Sequence, residues 1–142
     1  METLDNSGRQ WDVYKSNWWS MKLQAGWAAQ ENADCVSFSA GQSGGVLQVS
    51  SIRKPNGPVT FRDLYDFASD SKGGAKSIQH VELGESSGIA SEYVSEKRYW
   101  REWWLKKGQT AVYVTYNVAV AEREAEVNAV DRMISSITIL PA

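Results

Sequence analysis

The chain has one cysteine, Cys35, and one histidine, His80, among 142 residues. A lone cysteine excludes an internal disulfide framework and fits a reducing compartment. With a single cysteine and a single histidine, a tetrahedral zinc site would need several carboxylates, and no such cluster is spaced for one. No metal and no cofactor are expected. Long apolar runs are also missing, and the opening METLDNSGRQ places Glu2 and Asp5 where a signal peptide would be basic. Neither a membrane span nor secretion is expected, and the chain reads as cytoplasmic. Fifteen basic residues against seventeen acidic ones give a net charge of −2. Both signs are interspersed, so no basic patch exists to neutralise phosphates, and nucleic acid is not an expected partner. The glycine pairs in GQSGG (41–45) and SKGGAK (71–76) lack the strand, loop and helix context that aims backbone amides at phosphate; they read as turns.

What the chain has in plenty is tryptophan, seven in all, with six tyrosines. Its length suits one domain able to bury roughly 68% of its unfolded surface. Residues 1–10 read as a polar lead-in and 11–142 as a single domain. From Tyr14 the run through WWSMKL alternates as a strand and breaks at Ala25, Gly26 and Trp27. CVSFSA and GVLQVSSI are the next two strands, with Val36, Phe38 and Ala40 on one face of the former and Leu47 and Val49 on one face of the latter. RKPNGP ends the ladder. TFRDLYDFASD follows as a helix, with Thr60 and Asp63 at capping-box spacing and Phe61, Leu64, Tyr65 and Ala68 on one stripe. SIQHVELG, GIASEYV, KRYWREWWLKKG and TAVYVTYNV read as four more strands, the last two a hairpin closing through Lys107, Gly108 and Gln109. Residues 121–136 take helical period, with Val127, Val130, Ile134 and Ile137 on one stripe and glutamates in the first turn to suit the helix dipole. SITIL ends the domain as a short extended segment.

The result is an α+β domain with a mainly antiparallel sheet of about six or seven strands and two main helices. The order of elements, the turn at Ala25–Trp27, GVLQVS, the Trp-rich hairpin ending in TYN and the closing helix with MISSI together resemble small bacterial domains of the Mog1/PsbP-like α/β/α sandwich class. The resemblance covers residues 14–139 and lies in structural motifs, so it carries over no functional residue. It implies a protein that acts as a binding partner, assembly factor or secretion-associated chaperone more than as an enzyme.

YWREWWLKKGQTAVYVTYN (99–117) concentrates three tryptophans and three tyrosines. Alternation puts Tyr99, Arg101, Trp103 and Leu105 on one face and Trp100, Glu102, Trp104 and Lys106 on the other. A central strand covered on both sides needs bulk on both faces, which explains the rings as core. The functional alternative is that Trp100 and Trp104, interleaved with Glu102 and Lys106, form a contact surface, since tryptophan and tyrosine give rigid contact area at low entropic cost. Trp11, Tyr14, Trp18 and Trp19 extend that surface if their strand pairs near the hairpin; otherwise they staple the chain's start to the sheet.

Catalytic patterns are thin. Cys35 and His80 are the sole members of a nucleophile and base pair, yet Cys35 opens a strand as a small core residue would and His80 reads as a structural histidine paired with a neighbour. Glu92 with Glu96, and Glu82 with Glu85, read as solvated turn residues rather than an acid and base. The expected function is a non-enzymatic protein-binding module, such as an immunity protein or secretion-associated adaptor, that meets another protein through the aromatic surface and no membrane. The alternative is a small-molecule-binding domain or small enzyme with a pocket near the hairpin, using Tyr65, His80, Tyr99 or Arg101.

Overall fold

The computed structural model describes residues 2–4, 10–41, 44–69 and 78–141, with side chains from residue 12 onward. The GQSGG turn falls partly, and the SKGGAK loop wholly, outside the described residues, as does the side chain of Trp11. In chain order the elements are β1 (Glu2–Leu4), β2 (Gln10–Lys15), β3 (Trp19–Gln24), β4 (Ala28–Glu31), β5 (Val36–Ser39), β6 (Val46–Arg53), α1 (Phe61–Ser69), β7 (Gln79–Leu83), β8 (Ser86–Ser95), β9 (Arg98–Lys107), β10 (Thr110–Ala119), α2 (Val127–Ser135) and β11 (Thr138–Ile139). They build a large sheet ordered β4-β5-β6-β10-β9-β8-β7 and a small one ordered β1-β2-β3-β11. All the pairings are antiparallel. Among the described residues the architecture is α+β with an antiparallel sheet of seven strands and two α-helices, as the strand count and resemblance implied.

Alternation along β9 and β10 decides what packs where. Trp103 and Leu105 share a face with Val112, Val114, Tyr116 and Val118, and that face meets Leu47, Val49 and Phe38 of the neighbouring strands. Trp19, Met21 and Leu23 of β3, with Val130, Met133 and Ile134 of α2, close over it. The small sheet and α2 thus form one layer on the large sheet. On the other face, Ile89, Trp104 and Ala111 lie under Val59, Leu64 and Ala68, so α1 covers the end of the sheet near the β9–β10 turn. Because both faces are packed there, Trp103, Trp104 and Leu105 are buried in succession.

The start of α1 is fixed by a reciprocal cap. The Asp63 N–H donates to Thr60 Oγ1 at 3.1 Å and the Thr60 N–H to Asp63 Oδ2 at 2.9 Å, while Lys54 Nζ reaches the same carboxylate oxygen at 2.9 Å. The Thr60 amide first, and Lys54 next, hold the Asp63 carboxyl below its ordinary value. Thr60→Ala removes one arm of the cap and is expected to cost about 1 kcal/mol, read as a lower urea midpoint at unchanged slope.

Three local readings change. The helical period over 121–136 overruns at its start: the chain makes a 3₁₀ turn at Val120–Glu122, and α2 begins only at Val127 with no acid in its first turn. Glu126 holds the junction, because its buried carboxylate accepts from the Tyr116 hydroxyl at 2.6 Å instead of facing water. The strand read from Tyr14 is a hairpin, β2 and β3, broken where the Ser16 N–H donates to the Trp19 carbonyl. β4 was not anticipated: all four of its residues are exposed at a sheet edge, so no burial pattern marks it. The turn at Ala25–Trp27 is present, with Gly26 in the left-handed region at φ 90°.

Candidate functional site

A nine-residue helix is about 14 Å long, whereas the ten-residue strands β8, β9 and β10 run about 33 Å. α1 therefore covers only part of its face. Beyond it, a cavity of about 390 Å³ is lined by Asp34, Cys35, Gln48, Ser50, Tyr93, Trp100, Glu102, Tyr113 and Thr115. Every one of these residues comes from the sheet or from the loop before β5. A second, mainly apolar pocket of about 340 Å³ adjoins it, sharing Ser50 and Tyr113 and running under α1 past Ile52, Leu64, Phe67 and Trp104. Ile52 and Phe67 are exposed there.

The strand register assembles the first cavity. Tyr93 stands directly opposite Trp100, and their rings stack with centroids 6.2 Å apart and planes 5° from parallel. Glu102 lies two residues along β9 on the same face, opposite Ser91 on one side and Thr115 on the other. Only 3% of Glu102 is exposed. The Tyr113 hydroxyl donates to its Oε2, but Oε1 has no hydrogen-bond partner, and neither does the neighbouring Ser91 hydroxyl. No basic side chain among the described residues pairs with it. Buried Glu126 differs: its carboxylate is tied to Tyr116 inside the core and lines none of these cavities. An unmet buried carboxylate oxygen is costly, because the low local dielectric penalises a polar group that has lost water and gained nothing.

The phenols record these surroundings. Burial first, then the nearby Glu102 carboxylate, push Tyr93 up to about 12, and Tyr113 is raised further by burial and its bond to Glu102. Tyr14 and Tyr99 are also pushed up to about 12, by burial and then by Glu31 and Glu92 respectively. Unfolded phenols titrate near pH ~10, so these groups hold their protons more tightly when folded. The stability they contribute is whole below that pH and is lost as pH climbs from ~10 towards ~12. The urea midpoint is therefore expected to be insensitive to tyrosine ionisation at pH 8 and to fall steeply above about 10, checked by denaturation at stepped pH with absorbance near 295 nm following phenolate.

The residues singled out in the sequence are divided by the sheet. Trp100 and Glu102 meet at the open cavity, while Trp104 is a core residue beneath α1, 3% exposed, that also walls the apolar pocket. Lys106 lies beneath the helix with its ammonium 4.6 Å from the Phe61 ring centre. Tyr14 and Trp19 belong to the small sheet on the opposite layer and Trp18 to the turn before β3; a polar cavity of about 430 Å³ walled by Tyr14 and Trp19 shares Asp34, Cys35 and Ser50 with the Trp100 cavity, so the two groups of rings meet only around the loop before β5. Trp19 is 1% exposed; the Arg53 guanidinium covers the Trp18 ring; Tyr14 donates to Glu31 at 2.7 Å. The packing of Trp18 and Trp19 fits the staple, while Tyr14 and Trp19 also wall the adjoining cavity.

The alternative pocket does not assemble. Tyr65 and His80 are hydrogen-bonded at 2.8 Å on the α1 side, with His80 stacked on Phe61, whereas Arg101 bonds Asp131 of α2 at 2.7 Å on the other side and Tyr99 donates to Glu92. Cys35 adjoins β5 and His80 sits on β7, five strand spacings away or about 24 Å, so they form no nucleophile and base pair. Among the described residues no three His, Cys, Asp or Glu side chains converge to hold a metal. Sequence reasoning missed Tyr93 and Tyr113 as site residues. The signal for Tyr93 was available: in the hairpin register it faces Trp100.

No family model matches the chain, and no curated protein does. Solved structures do. The solution structure of cyanobacterial PsbP (CyanoP) from Synechocystis superposes with a TM-score of 0.67 at 15% identity, over 91% of this chain and 92% of that one. A crystal structure from Bacteroides thetaiotaomicron gives 0.61 at 17% identity over 87% of this chain, which spans 46% of that protein. The fold is PsbP-like, as the resemblance implied, and at these identities the likeness extends to nothing finer.

Proposed function

We propose that this domain is a non-enzymatic protein-binding module whose contact surface is the open half of the α1 face of its large sheet. The observation that carries the reading is the Tyr93–Trp100 stack standing beside the buried, half-satisfied Glu102 in an open cavity. Stacked aromatics give a rigid platform that loses little entropy on contact, and a central desolvated group ringed by such contacts is how interface hot spots are built. The apolar pocket past Ile52 and Phe67 extends the platform to a length that suits a polypeptide segment.

The reading keeps the binding role expected from the sequence and moves its centre. Trp100 and Glu102 stay, Tyr93 and Tyr113 join them, and Trp104 becomes the floor of the neighbouring pocket. A reducing compartment such as the bacterial cytoplasm is the proposed location, in keeping with the single half-buried thiol of Cys35 at the cavity rim. No helix among the described residues is long and apolar enough to cross a membrane. The test is partner capture by wild type and by a folded Trp100→Ala variant, with loss of the captured protein as the expected result.

A further inference from the structure

We infer that the Glu102 cavity receives a positively charged side chain, lysine or arginine, from the partner polypeptide, with an apolar residue of the same segment seated in the pocket beside α1. The inference rests on the protein-binding reading and names the chemistry of the contact.

Charge comes first. The cavity lining contains two acids, Asp34 at the rim and Glu102 at the base, and no basic residue. Glu102 is 97% removed from solvent by its 3% exposure, and its Oε1 lacks any donor, so the site presents an acceptor whose desolvation has been incurred without a compensating bond. A guanidinium or ammonium supplies both the donor and the opposite charge, and charge-assisted bonds of this kind are about twice as strong as neutral ones.

The walls favour the same class of ligand. Trp100, Tyr93 and Tyr113 line the cavity with the carboxylate, and an organic cation is attracted to aromatic rings as well as to the acid. An anion would meet the buried charge of Glu102, with Asp34 adding to the repulsion at the rim, and an uncharged alkyl group would leave Oε1 unmet. A metal ion bound directly by side chains would need a convergent set of ligands, and no three His, Cys, Asp or Glu converge among the described residues. An organic cation on a flexible stem is the remaining fit.

Adjacency makes the occupant a chain segment. Both pockets share Ser50 and Tyr113, and Glu102 and Trp104, one in each, are two residues apart on one face of β9, a separation of about 7 Å. Side chains two positions apart in an extended peptide have that same spacing. A segment that places a basic residue over Glu102 therefore brings an apolar side chain to Ile52 and Phe67.

The test titrates the whole domain with the blocked tripeptide arginine-serine-leucine and with its citrulline analogue, which is neutral and nearly the same shape, following the Trp100 indole signal by NMR. The arginine peptide is expected to saturate, with the citrulline peptide at least about tenfold weaker, and Glu102→Gln should abolish that preference. Equal binding of the two peptides, a preference that survives in Glu102→Gln, or no response of Trp100 to either peptide overturns the inference. The comparison of peptides on wild type stands even if the Gln variant fails to fold. Failure of the arginine peptide, alongside partner capture that depends on Trp100, removes the cationic contact and leaves the binding reading intact; failure of both removes both.

Discussion

Trp19→Ala is expected to cost about 3–5 kcal/mol of folding stability, a large share of the roughly 5–15 kcal/mol that a domain possesses. Trp19 is 1% exposed and joins the layers: its ring lies 5.5 Å from Tyr14 and 6.3 Å from Phe38, and its backbone pairs with Ile139 of β11. Removing the indole leaves a cavity between the two sheets that neither can collapse to fill, since each is held by its own ladder. Thermal denaturation should show a midpoint lower by about 10 °C or more. A shift of only a degree or two would mean that Trp19 is exposed in solution and that the small sheet does not pack as described.

Trp100→Ala is expected to divide the two properties in the opposite way. The indole is half-buried and stacks on Tyr93, so its loss should cost the fold only about 1 kcal/mol. At the centre of an interface, the same truncation should cost 2 kcal/mol or more, about thirtyfold in affinity. Trp104 has to be left in place: it is core beneath α1, and its truncation would remove fold and function together. Denaturation and partner affinity measured on the same preparations of Trp100→Ala distinguish the two losses.

The fold was legible where pattern and burial agree. Two strands with bulk on both faces, β9 and β10, announce a sheet covered on both sides, and Thr60 with Asp63 announces the start of α1 by spacing alone. Legibility fails where a local signal serves a distant contact. Glu124 and Glu126 look like first-turn acids of a helix, yet Glu126 turns inward to Tyr116 and delays α2. β4 has no apolar alternate because it is an edge, and edges carry little burial information.

The candidate site was half legible for a related reason. Alternation correctly placed Trp100 and Glu102 on one face of β9, but the sequence does not say how far a nine-residue helix reaches along that face. That length decides that Trp104 is roofed and Trp100 is not. The N-terminal aromatics do not line the Trp100 cavity itself because their strands pair within a second sheet, a long-range choice no local period encodes; Tyr14 and Trp19 reach it only through the shared rim of Asp34, Cys35 and Ser50.

The most direct test of the central claim is site-specific photocrosslinking in the cells that make the protein, with a photoreactive residue at Gln48 in one variant and at Val94 in another. Both positions are exposed; Gln48 lines the open cavity, and Val94 points to the opposite face of the large sheet. A discrete crosslinked protein from Gln48 and none from Val94 is the predicted result. Crosslinking from Val94 alone, or from neither position, would contradict the claim that this protein binds its partner across the open half of the α1 face.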